Sequence, residues 1–342
     1  SGITEIKNNT FENTSLTSIT IPDSVTSIGS KAFYNSSLLT EVDLGSGVTG
    51  IGQEAFRGTA LEQLTLPDSV ASIGNSAFAQ LPIKNLTIGN GVNSRDAIDI
   101  NAFYGICNTL ETVSINSPNG MGRGSSVYRY YTESGSFHTS GYRYYYKGLH
   151  FSETGCNKLT SINLGNDVTS IGDHVFSGLT NLTSLIIGNS VADIGNNAFT
   201  GATSLSSLTI PNSVTAIDSR AFSGASAMTS VEIPNSVTTI GDYAFAGSGL
   251  QMVTIPDSVT TIGTGAFEGS LSLYSVSIPS SVTHIGNSAF ASTNLTTVMI
   301  PDSVENLGSN AFQNTPSLAS ITLGSGITEI KNNTFENTSL TS

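Results

Sequence analysis

The chain has 342 residues, of which 38% are hydrophobic and only 11% charged, and its formal net charge is −13 at pH 7. So low a charged fraction is not typical of a disordered acidic tail, a coiled coil or a charge-laced helical bundle. The excess of acidic residues argues against general binding to nucleic acids or anionic membranes, because the field around the molecule repels polyanions. No stretch approaches the ~18 consecutive apolar residues of a membrane span, so membrane insertion is not expected. The chain begins at Ser1 without a charged-then-apolar leader, and we expect any targeting segment to have been removed or to lie outside this sequence.

A phenylalanine recurs along the chain in steps of 22, 23 or 25 residues, with one gap of 73. One well-formed unit, Leu16–Phe33, reads LTSITIPDSVTSIGSKAF, and a close copy returns at Leu205–Phe222. A recurring period of this length indicates a solenoid. A single unit, called a rung below, cannot close a core alone, so stacked rungs must bury each apolar column against its own copies. The recurring residues are Phe11, Phe33, Phe56, Phe78, Phe103, Phe176, Phe199, Phe222, Phe245, Phe267, Phe290, Phe312 and Phe335.

Each rung predicts a strand, a turn, a second extended piece and a tight bend. Ser18–Ile21 alternates polar and apolar residues and is rich in β-branched ones, which predicts a short strand in a parallel stack. Pro22 with the following Asp and Ser predicts a turn. Val25–Gly29 predicts another extended piece, and Ser30–Tyr34 a helical or 3₁₀ turn that places Phe33 inside. About fourteen rungs spaced ~4.8 Å apart would make a stack ~65 Å long.

A glycine follows the isoleucine of the second extended piece in several rungs, as at Gly29, Gly52 and Gly74. Glycine is needed where the backbone has a positive φ or where two backbones approach closely. The sequence leaves both explanations open.

The repeated pattern LxxIxIPxSVTxIGxxAF closely resembles that of the BspA-like leucine-rich-repeat family, over nearly the whole chain outside one insertion. The resemblance implies a leucine-rich-repeat solenoid of stacked short parallel β-strands, with turns and short helical or 3₁₀ segments. It also implies a cell-surface or secreted protein of bacteria or certain protists, associated with adhesion to host matrix or to other cells. It does not imply an enzyme, because the family shares no catalytic residues.

The gap of 73 residues contains the one interruption of the repeat. Its segment Tyr142–Phe151 aligns with VTSIGSKAF as a degenerate rung, which leaves an insertion of about 25 residues. We therefore predict leucine-rich-repeat rungs at 1–116, an inserted Tyr- and Gly-rich hairpin or loop at 117–141, and further rungs at 142–342, all in one continuous solenoid.

The insertion and its flank differ from the rest of the chain in chemistry. They hold seven of the 11 Tyr residues, and the stretch from Ser117 to His150 contains four basic residues and one acidic residue. Tyr and Arg often anchor interfaces, so one hypothesis is a recognition or assembly element. The other is that the Tyr rings cover the side of the solenoid where a regular rung is missing. The candidate binding residues are Tyr128, Arg129, Tyr130, Tyr131, Phe137, Tyr142, Arg143, Tyr144, Tyr145 and Lys147.

Cys107 and Cys156 occupy the same place in consecutive rungs. Rungs ~5 Å apart would permit a disulfide. Because Cys is so often a small core residue, the prediction is two buried free thiols.

No residue pattern predicts catalysis, a metal or a cofactor. None of the four histidines lies in a metal or catalytic motif, and His174 and His284 occupy positions expected to face outward. Asp23 and Asp68 both follow a proline, but Ser46 separates them in the stack. At ~10 Å apart they cannot share a calcium ion, so the alternation of Asp and Ser is interpreted as relief of charge repulsion.

The long strands carry Thr between their two apolar positions, as at Thr20 and Thr209, which predicts a hydroxyl-rich outer face. Ile186, Glu232 and Met299 interrupt that column. The interruptions weaken an ice-binding or crystal-face interpretation.

Residues 1–18 and 325–342 are identical, letter for letter. The identity suggests that this sequence is a window on a longer array with a 324-residue unit. Two functions follow for an extracellular or cell-surface protein without catalytic activity. In the first it adheres through the insertion to host matrix, another cell, a neighbouring surface protein or another copy of itself. In the second it is a structural subunit whose 324-residue units join or stack end to end into a fibre, with the insertions making lateral contacts to adjacent strands of the fibre.

Overall fold

The computed structural model describes residues 2–92, 97–99, 101–117 and 156–341. The chain forms two compact units. The first comprises Ser1–Ile83, Ile88–Ile106 and Ser117–His150, and the second Lys84–Thr87, Cys107–Asn116 and Phe151–Ser342. A 3₁₀ turn at Ile106–Asn108 is the helical element of the described residues.

In the first unit, long strands of three or four residues alternate along the chain with short strands of two. The short strands form a parallel four-stranded sheet in the order β1-β3-β5-β7, and β2 pairs in parallel with β4. Paired residues are 22 or 23 positions apart, which is one repeat. The strands are β1 (Glu5–Ile6), β2 (Ser18–Thr20), β3 (Ser27–Ile28), β4 (Glu41–Asp43), β5 (Gly50–Ile51), β6 (Gln63–Leu66) and β7 (Ser72–Ile73).

The second unit repeats this arrangement over more rungs. Its short strands form one parallel seven-stranded sheet, β11-β13-β15-β17-β19-β21-β23, whereas its long strands fall into smaller sheets that include the pairs β14-β16, β18-β20 and β22-β24. The strands are β8 (Asn85–Ile88, whose last residue belongs to the first unit), β9 (Thr112–Ile115), β10 (Ser161–Leu164), β11 (Ser170–Ile171), β12 (Ser184–Ile186), β13 (Asp193–Ile194), β14 (Ser207–Thr209), β15 (Ala216–Ile217), β16 (Ser230–Glu232), β17 (Thr239–Ile240), β18 (Met252–Thr254), β19 (Thr261–Ile262), β20 (Ser275–Ser277), β21 (His284–Ile285), β22 (Thr297–Met299), β23 (Asn306–Leu307) and β24 (Ser320–Thr322).

The recurring phenylalanines form the centre of the core, as the repeat predicts. In the first unit successive rings from Phe11 to Phe103 lie 4.9 to 5.5 Å apart between centroids. In the second unit those from Phe176 to Phe335 lie 5.2 to 5.8 Å apart, with neighbouring planes within 14° of parallel. Such offset stacking buries each ring between its own copies, so a rung in the middle of the stack depends on both neighbours.

In the rungs that the structure describes, the bend before the phenylalanine is a pair of hydrogen-bonded turns and not a helix. In the first unit the N–H of Ala32 donates to the carbonyl of Gly29 at 3.3 Å, and that of Tyr34 to Lys31 at 3.1 Å. Lys31 has a φ of 55°, in the left-handed region, so a right-handed helix cannot continue through it. The same position has a positive φ at Glu54, Ser76, His174, Asn197, Arg220, Tyr243, Gly265, Ser288 and Asn310.

The glycine column marks a close approach between rungs. None of Gly29, Gly52 and Gly74 has a φ in the left-handed region. A Cβ atom added at Gly52 would lie 2.5 Å from the backbone nitrogen of Ser30, and one added at Gly29 would lie 2.6 Å from that of Asn8. Close contact, the second of the two explanations left open by the sequence, therefore accounts for these glycines.

We expect Gly52→Ala to lower the free energy of unfolding by about 1–3 kcal/mol, because the added methyl group must push two backbones apart. Urea denaturation would measure the change. Gly50→Ala in the same rung is the control, since its Cβ would meet only the side-chain hydroxyl of Ser72, at 3.3 Å. Equal losses in the two variants would contradict the explanation.

Candidate functional site

The ten candidate binding residues between Tyr128 and Lys147 lie outside the described residues, as do the rest of the predicted insertion and its flank up to 155. The structure describes the two strands between which that part of the chain runs. Thr112 of β9 pairs with Ser161 of β10 in a parallel ladder, across a sequence separation of 49 residues. Other strand pairs, such as β10 with β12 and β17 with β19, are offset by one repeat of 22 or 23 residues. The segment 116–160, which connects β9 to β10, therefore begins and ends on neighbouring strands.

A disulfide joins Cys107 and Cys156, so the prediction of two free thiols is wrong. The Cα atoms are 4.3 Å apart. Direct pairing of β9 with β10 makes the two rungs neighbours, and a shared column position then brings the cysteines together. Both side chains are buried. The disulfide links the rungs that precede and follow the insertion.

The outward side of the long strands, called the strand face, is exposed in the second unit. Its threonines, such as Thr209 and Thr254, are exposed, as the sequence predicts. Large apolar side chains interrupt them: Met299 is 70% exposed, Met252 58% and Ile186 57%. The face is therefore a mixture of hydroxyl groups and isolated apolar groups, which suits contact with a protein better than contact with a regular crystal lattice.

A groove of about 360 Å³ lies on this face between β12 and β14. The two strands belong to different sheets, so the hydrogen-bonded ladder is interrupted between them. Ile186 is exposed at the groove and Ile187 is buried beneath it. The sequence identified Ile186 only as an interruption of the Thr column. The groove is lined by Thr183, Ser184, Leu185, Ile186, Ile187, Asn189, Ser207, Thr209 and Pro211.

Elsewhere on the same unit an exposed arginine stacks on a half-buried tyrosine, a contact that the sequence did not predict. The guanidinium carbon of Arg220 lies 4.6 Å from the ring centroid of Tyr243. Both occupy the left-handed position of their turns, one rung apart, so the repeat itself brings them together. The sequence could have indicated this contact, because Arg and Tyr occupy the same column position in adjacent rungs.

The Asp column in the turns hydrogen-bonds to the next rung. Oδ1 of Asp23 accepts from the backbone N–H of Ser46 at 2.7 Å and from its hydroxyl at 2.9 Å. The backbone N–H of Ser325 donates to Asp302 at 2.7 Å. These backbone hydrogen bonds, assisted by the serine hydroxyls, hold the pKa of both carboxyl groups below the ordinary value of 3.8. The alternation of Asp and Ser thus supplies an acceptor and a donor for hydrogen bonds between rungs.

The lowered pKa means that folding is favoured by the ionised form of Asp23. We therefore expect the unmodified chain to lose this stabilisation in acid, beginning near pH 3.8 and continuing as the pH falls through the lowered pKa. Ser46→Ala removes the hydroxyl donor and should raise that pKa toward its ordinary value, which makes the acid loss smaller. Thermal melting between pH 2 and 6 would measure this. A Ser46→Ala chain with an unchanged acid profile would contradict the role of the hydroxyl.

His284 is exposed and His174 half-buried. Within the described ranges, no three His, Cys, Asp or Glu side chains are grouped as metal ligands would be. No helix in the part of the chain that the structure describes is long and apolar enough to cross a membrane.

Short parallel strands, a column of stacked phenylalanines and an exposed strand face define a leucine-rich-repeat solenoid of parallel β-strands. The chain belongs to the family with BspA-type leucine-rich-repeat regions. Residues 4–126, 150–270 and 238–342 match that family in 6 copies. The resemblance inferred from the repeated pattern is therefore confirmed.

Solved structures of bacterial leucine-rich-repeat proteins are similar to this chain. A protein from Bacteroides ovatus ATCC 8483 is 22% identical, with a TM-score of 0.44, and the match covers 98% of this chain and 80% of that one. A protein from Eubacterium ventriosum ATCC 27560 is 22% identical, with a TM-score of 0.45, over 96% of this chain and 84% of the other. The pneumococcal vaccine antigen PcpA is also 22% identical, with a TM-score of 0.36, over 95% and 68%. No curated protein sequence matches the chain significantly.

Proposed function

We propose that this protein is a non-catalytic extracellular or cell-surface repeat protein that adheres to a protein partner through its Tyr-rich insertion. The solenoid units serve as the rigid support. The partner is a component of host matrix or a neighbouring surface protein.

The disulfide between Cys107 and Cys156 carries the proposal, because it fastens together the two rungs between which the insertion runs. A recognition element gains affinity when its supports are rigid, since less conformational freedom is lost on binding. Disulfides persist in oxidising compartments, which supports a location outside the cytosol.

The composition of the insertion supports protein binding. Its Tyr and Arg residues are the types that most often contribute to interface hot spots. The stretch from Ser117 to His150 has a local charge of +3 on a chain of net charge −13, so it is the part of this protein best suited to an acidic partner.

Deletion of residues 117–141 tests the proposal. The probe is a surface coated with basement-membrane extract, with cultured epithelial cells as a second surface. A single Tyr or Arg anchor contributes ~2 kcal/mol, so the deletion should weaken binding at least about thirtyfold while the circular dichroism of the solenoid is retained.

The control for the deletion changes the strand face. A chain with Met252→Ser and Met299→Ser loses two exposed apolar side chains from that face and should bind as the unmodified chain does. Unchanged binding after the deletion, or loss of binding in the strand-face variant alone, would assign recognition elsewhere.

The second candidate function is a structural subunit of an extracellular fibre. It is favoured by the identity of residues 1–18 with 325–342, which extends to exposed positions such as Lys7 and Asn9 that packing does not constrain. Electron microscopy separates the two candidates. Filaments with one lateral bump per repeat favour the fibre, and dispersed short rods favour adhesion.

A further inference from the structure

The left-handed positions of the bends, two residues before each Phe, form a column along the rungs. In the second unit this column holds Arg220, Tyr243 and Gly265 in three consecutive rungs, with φ values of 56°, 56° and 57°. A hydrogen bond to the next rung holds each backbone: the N–H of Arg220 donates to Asp242 at 2.8 Å, and that of Tyr243 to Thr264 at 2.8 Å. The arginine and tyrosine side chains therefore leave the backbone from fixed positions in adjacent rungs.

The glycine of this column makes room for the tyrosine ring. A Cβ atom added at Gly265 would lie 2.4 Å from Cε1 and 2.5 Å from Cδ1 of Tyr243. The ring therefore occupies the space that a side chain of the next rung would fill. The two following rungs have a side chain at the same position, Ser288 and Asn310. Because the ring lies against the next rung, its orientation is restricted.

The ring of Tyr243 in turn supports the guanidinium group of Arg220, whose central carbon lies 4.6 Å from the ring centroid. The ring attracts the cation, and stacking leaves the N–H groups at the edge of the guanidinium plane available as donors. Arg220 is exposed and pairs with no carboxylate of the described residues. The second unit therefore presents a positive charge whose position is held by an aromatic ring and whose donors are accessible.

The same column of the first unit satisfies its cations within the chain. Lys31 and Glu54 occupy the left-handed position in consecutive rungs, and Nζ of Lys31 lies 3.6 Å from Oε2 of Glu54. A nitrogen of Arg57 lies 3.3 Å from Oε1 of the same carboxylate. Lys31 also lies over the ring of Tyr34, at 5.3 Å. Arg220 of the second unit has the aromatic support without the carboxylate, so a carboxylate is the group that its environment lacks.

We propose that Arg220 and Tyr243 form a binding site for a carboxylate side chain of a protein partner. The site lies outside the insertion, so the inference goes beyond the proposed function. The guanidinium group donates two parallel hydrogen bonds to the carboxylate, and the ring keeps the guanidinium plane in the orientation that this requires. Arg and Tyr are also the residue types most enriched among those that dominate the binding energy of protein interfaces.

The charge of the chain indicates what carries the carboxylate. Nucleic acids and sulfated glycans have closely spaced anionic groups that several cations must bind together, and a chain of net charge −13 repels them. A second copy carries the same net charge and is repelled as well. Arg220 offers one guanidinium group, which matches one carboxylate. The partner is therefore a protein segment with a single Asp or Glu among uncharged residues.

Two libraries of immobilised peptides serve as the probe, one with a central Glu among varied uncharged residues and one with Gln in its place. The full chain should bind the Glu library in preference to the Gln library. Arg220→Gln should reduce this preference about tenfold, because a pair of charge-assisted hydrogen bonds is lost. Arg57→Gln is the control, since it removes the same charge from an arginine that Glu54 already pairs with. It should leave the preference unchanged.

A substitution at Gly265 tests whether the ring holds the arginine. Gly265→Asn adds a side chain where the ring lies, and Asn tolerates the positive φ, as Asn310 does in the same column. It should weaken binding to the Glu library about two- to fivefold, the contribution of an exposed cation–π contact. Ser288→Asn, one rung further on, is the control and should bind as the unmodified chain does. Circular dichroism verifies that each variant is folded.

Weaker binding of Arg220→Gln and Gly265→Asn, with both controls unaffected, supports the site. The site is wrong if the unmodified chain shows no preference for Glu, or if Arg220→Gln and Arg57→Gln behave alike. If Arg220→Gln alone weakens binding, the ring contributes nothing and the site of two residues is wrong. Heparin is a third surface. If Arg220→Gln weakens binding to heparin more than binding to the Glu library, the site recognises sulfate groups and not a protein carboxylate.

Discussion

Replacing Phe222 by Ala should lower the free energy of unfolding by about 3–5 kcal/mol. The ring is fully buried, with centroids 5.5 Å from Phe199 and 5.6 Å from Phe245. Its loss leaves a cavity that the neighbouring rings cannot close, because their own positions are set by the backbone ladders on either side. The seven-stranded sheet passes through this rung at β15, so two rung interfaces weaken together. Urea denaturation followed by circular dichroism would measure the loss.

Phe335→Ala is the matched control. Phe335 is half-buried and has one ring neighbour, at 5.8 Å. Its removal should cost clearly less than removal of Phe222, because one interface is affected and solvent already reaches the ring. Equal losses from the two substitutions would mean that stacking on both sides does not determine the stability of a rung.

Sequence periodicity was sufficient to predict the Phe column and the strands. Apolar residues that recur once per rung can be buried only against their copies, so positions such as Phe56 and Phe199 were assigned to the core without any coordinates. The predicted strand Ser18–Ile21 is observed as Ser18–Thr20. Wherever the pattern repeats, local propensity and packing require the same arrangement, and prediction is correspondingly reliable.

The bend before each Phe was harder to predict. Its left-handed position holds Lys31, Glu54, Tyr243 and Arg220 in different rungs, residues with no preference for positive φ. The conformation is imposed by hydrogen bonds to the next rung, such as that from Lys31 N–H to Gln53 at 2.9 Å. Because these hydrogen bonds come from the neighbouring rung, the sequence of a single rung does not predict the positive φ.

Prediction of the site residues is limited in the same way, because their arrangement depends on contacts between rungs. The strand-face groove lies where the ladder is interrupted between β12 and β14, and the rungs on both sides follow the common pattern. The Asp and Ser alternation was visible, but its hydrogen bond depends on which atoms face each other across two rungs. The disulfide could have been predicted from the sequence, because the two cysteines share a column. The general preference of Cys for burial as a free thiol led to the wrong choice.

Removal of the disulfide by Cys107→Ala with Cys156→Ala should lower the free energy of unfolding by about 4 kcal/mol. The bond closes a loop with a sequence separation of 49, and a loop of that length loses about this much conformational freedom in the unfolded chain. Alanine is the suitable replacement, since the small buried position after the Phe already holds Ala202 and Ala225 in other rungs. Urea denaturation without reductant would measure the change, and the unmodified chain in excess dithiothreitol should lose a similar amount.

The predicted insertion offers an internal test of that explanation. Deleting residues 117–141 roughly halves the loop, so the disulfide should then stabilise the chain by about 0.6 kcal/mol less than before. A double-mutant cycle between the deletion and the two alanine substitutions isolates this difference. If the bond instead stabilises by fastening the two rungs in the folded state, its contribution will not depend on the length between them. A cycle with no coupling, combined with loss of partner binding in the alanine variant, would therefore identify the disulfide as a support for the insertion and not as a constraint on the unfolded chain.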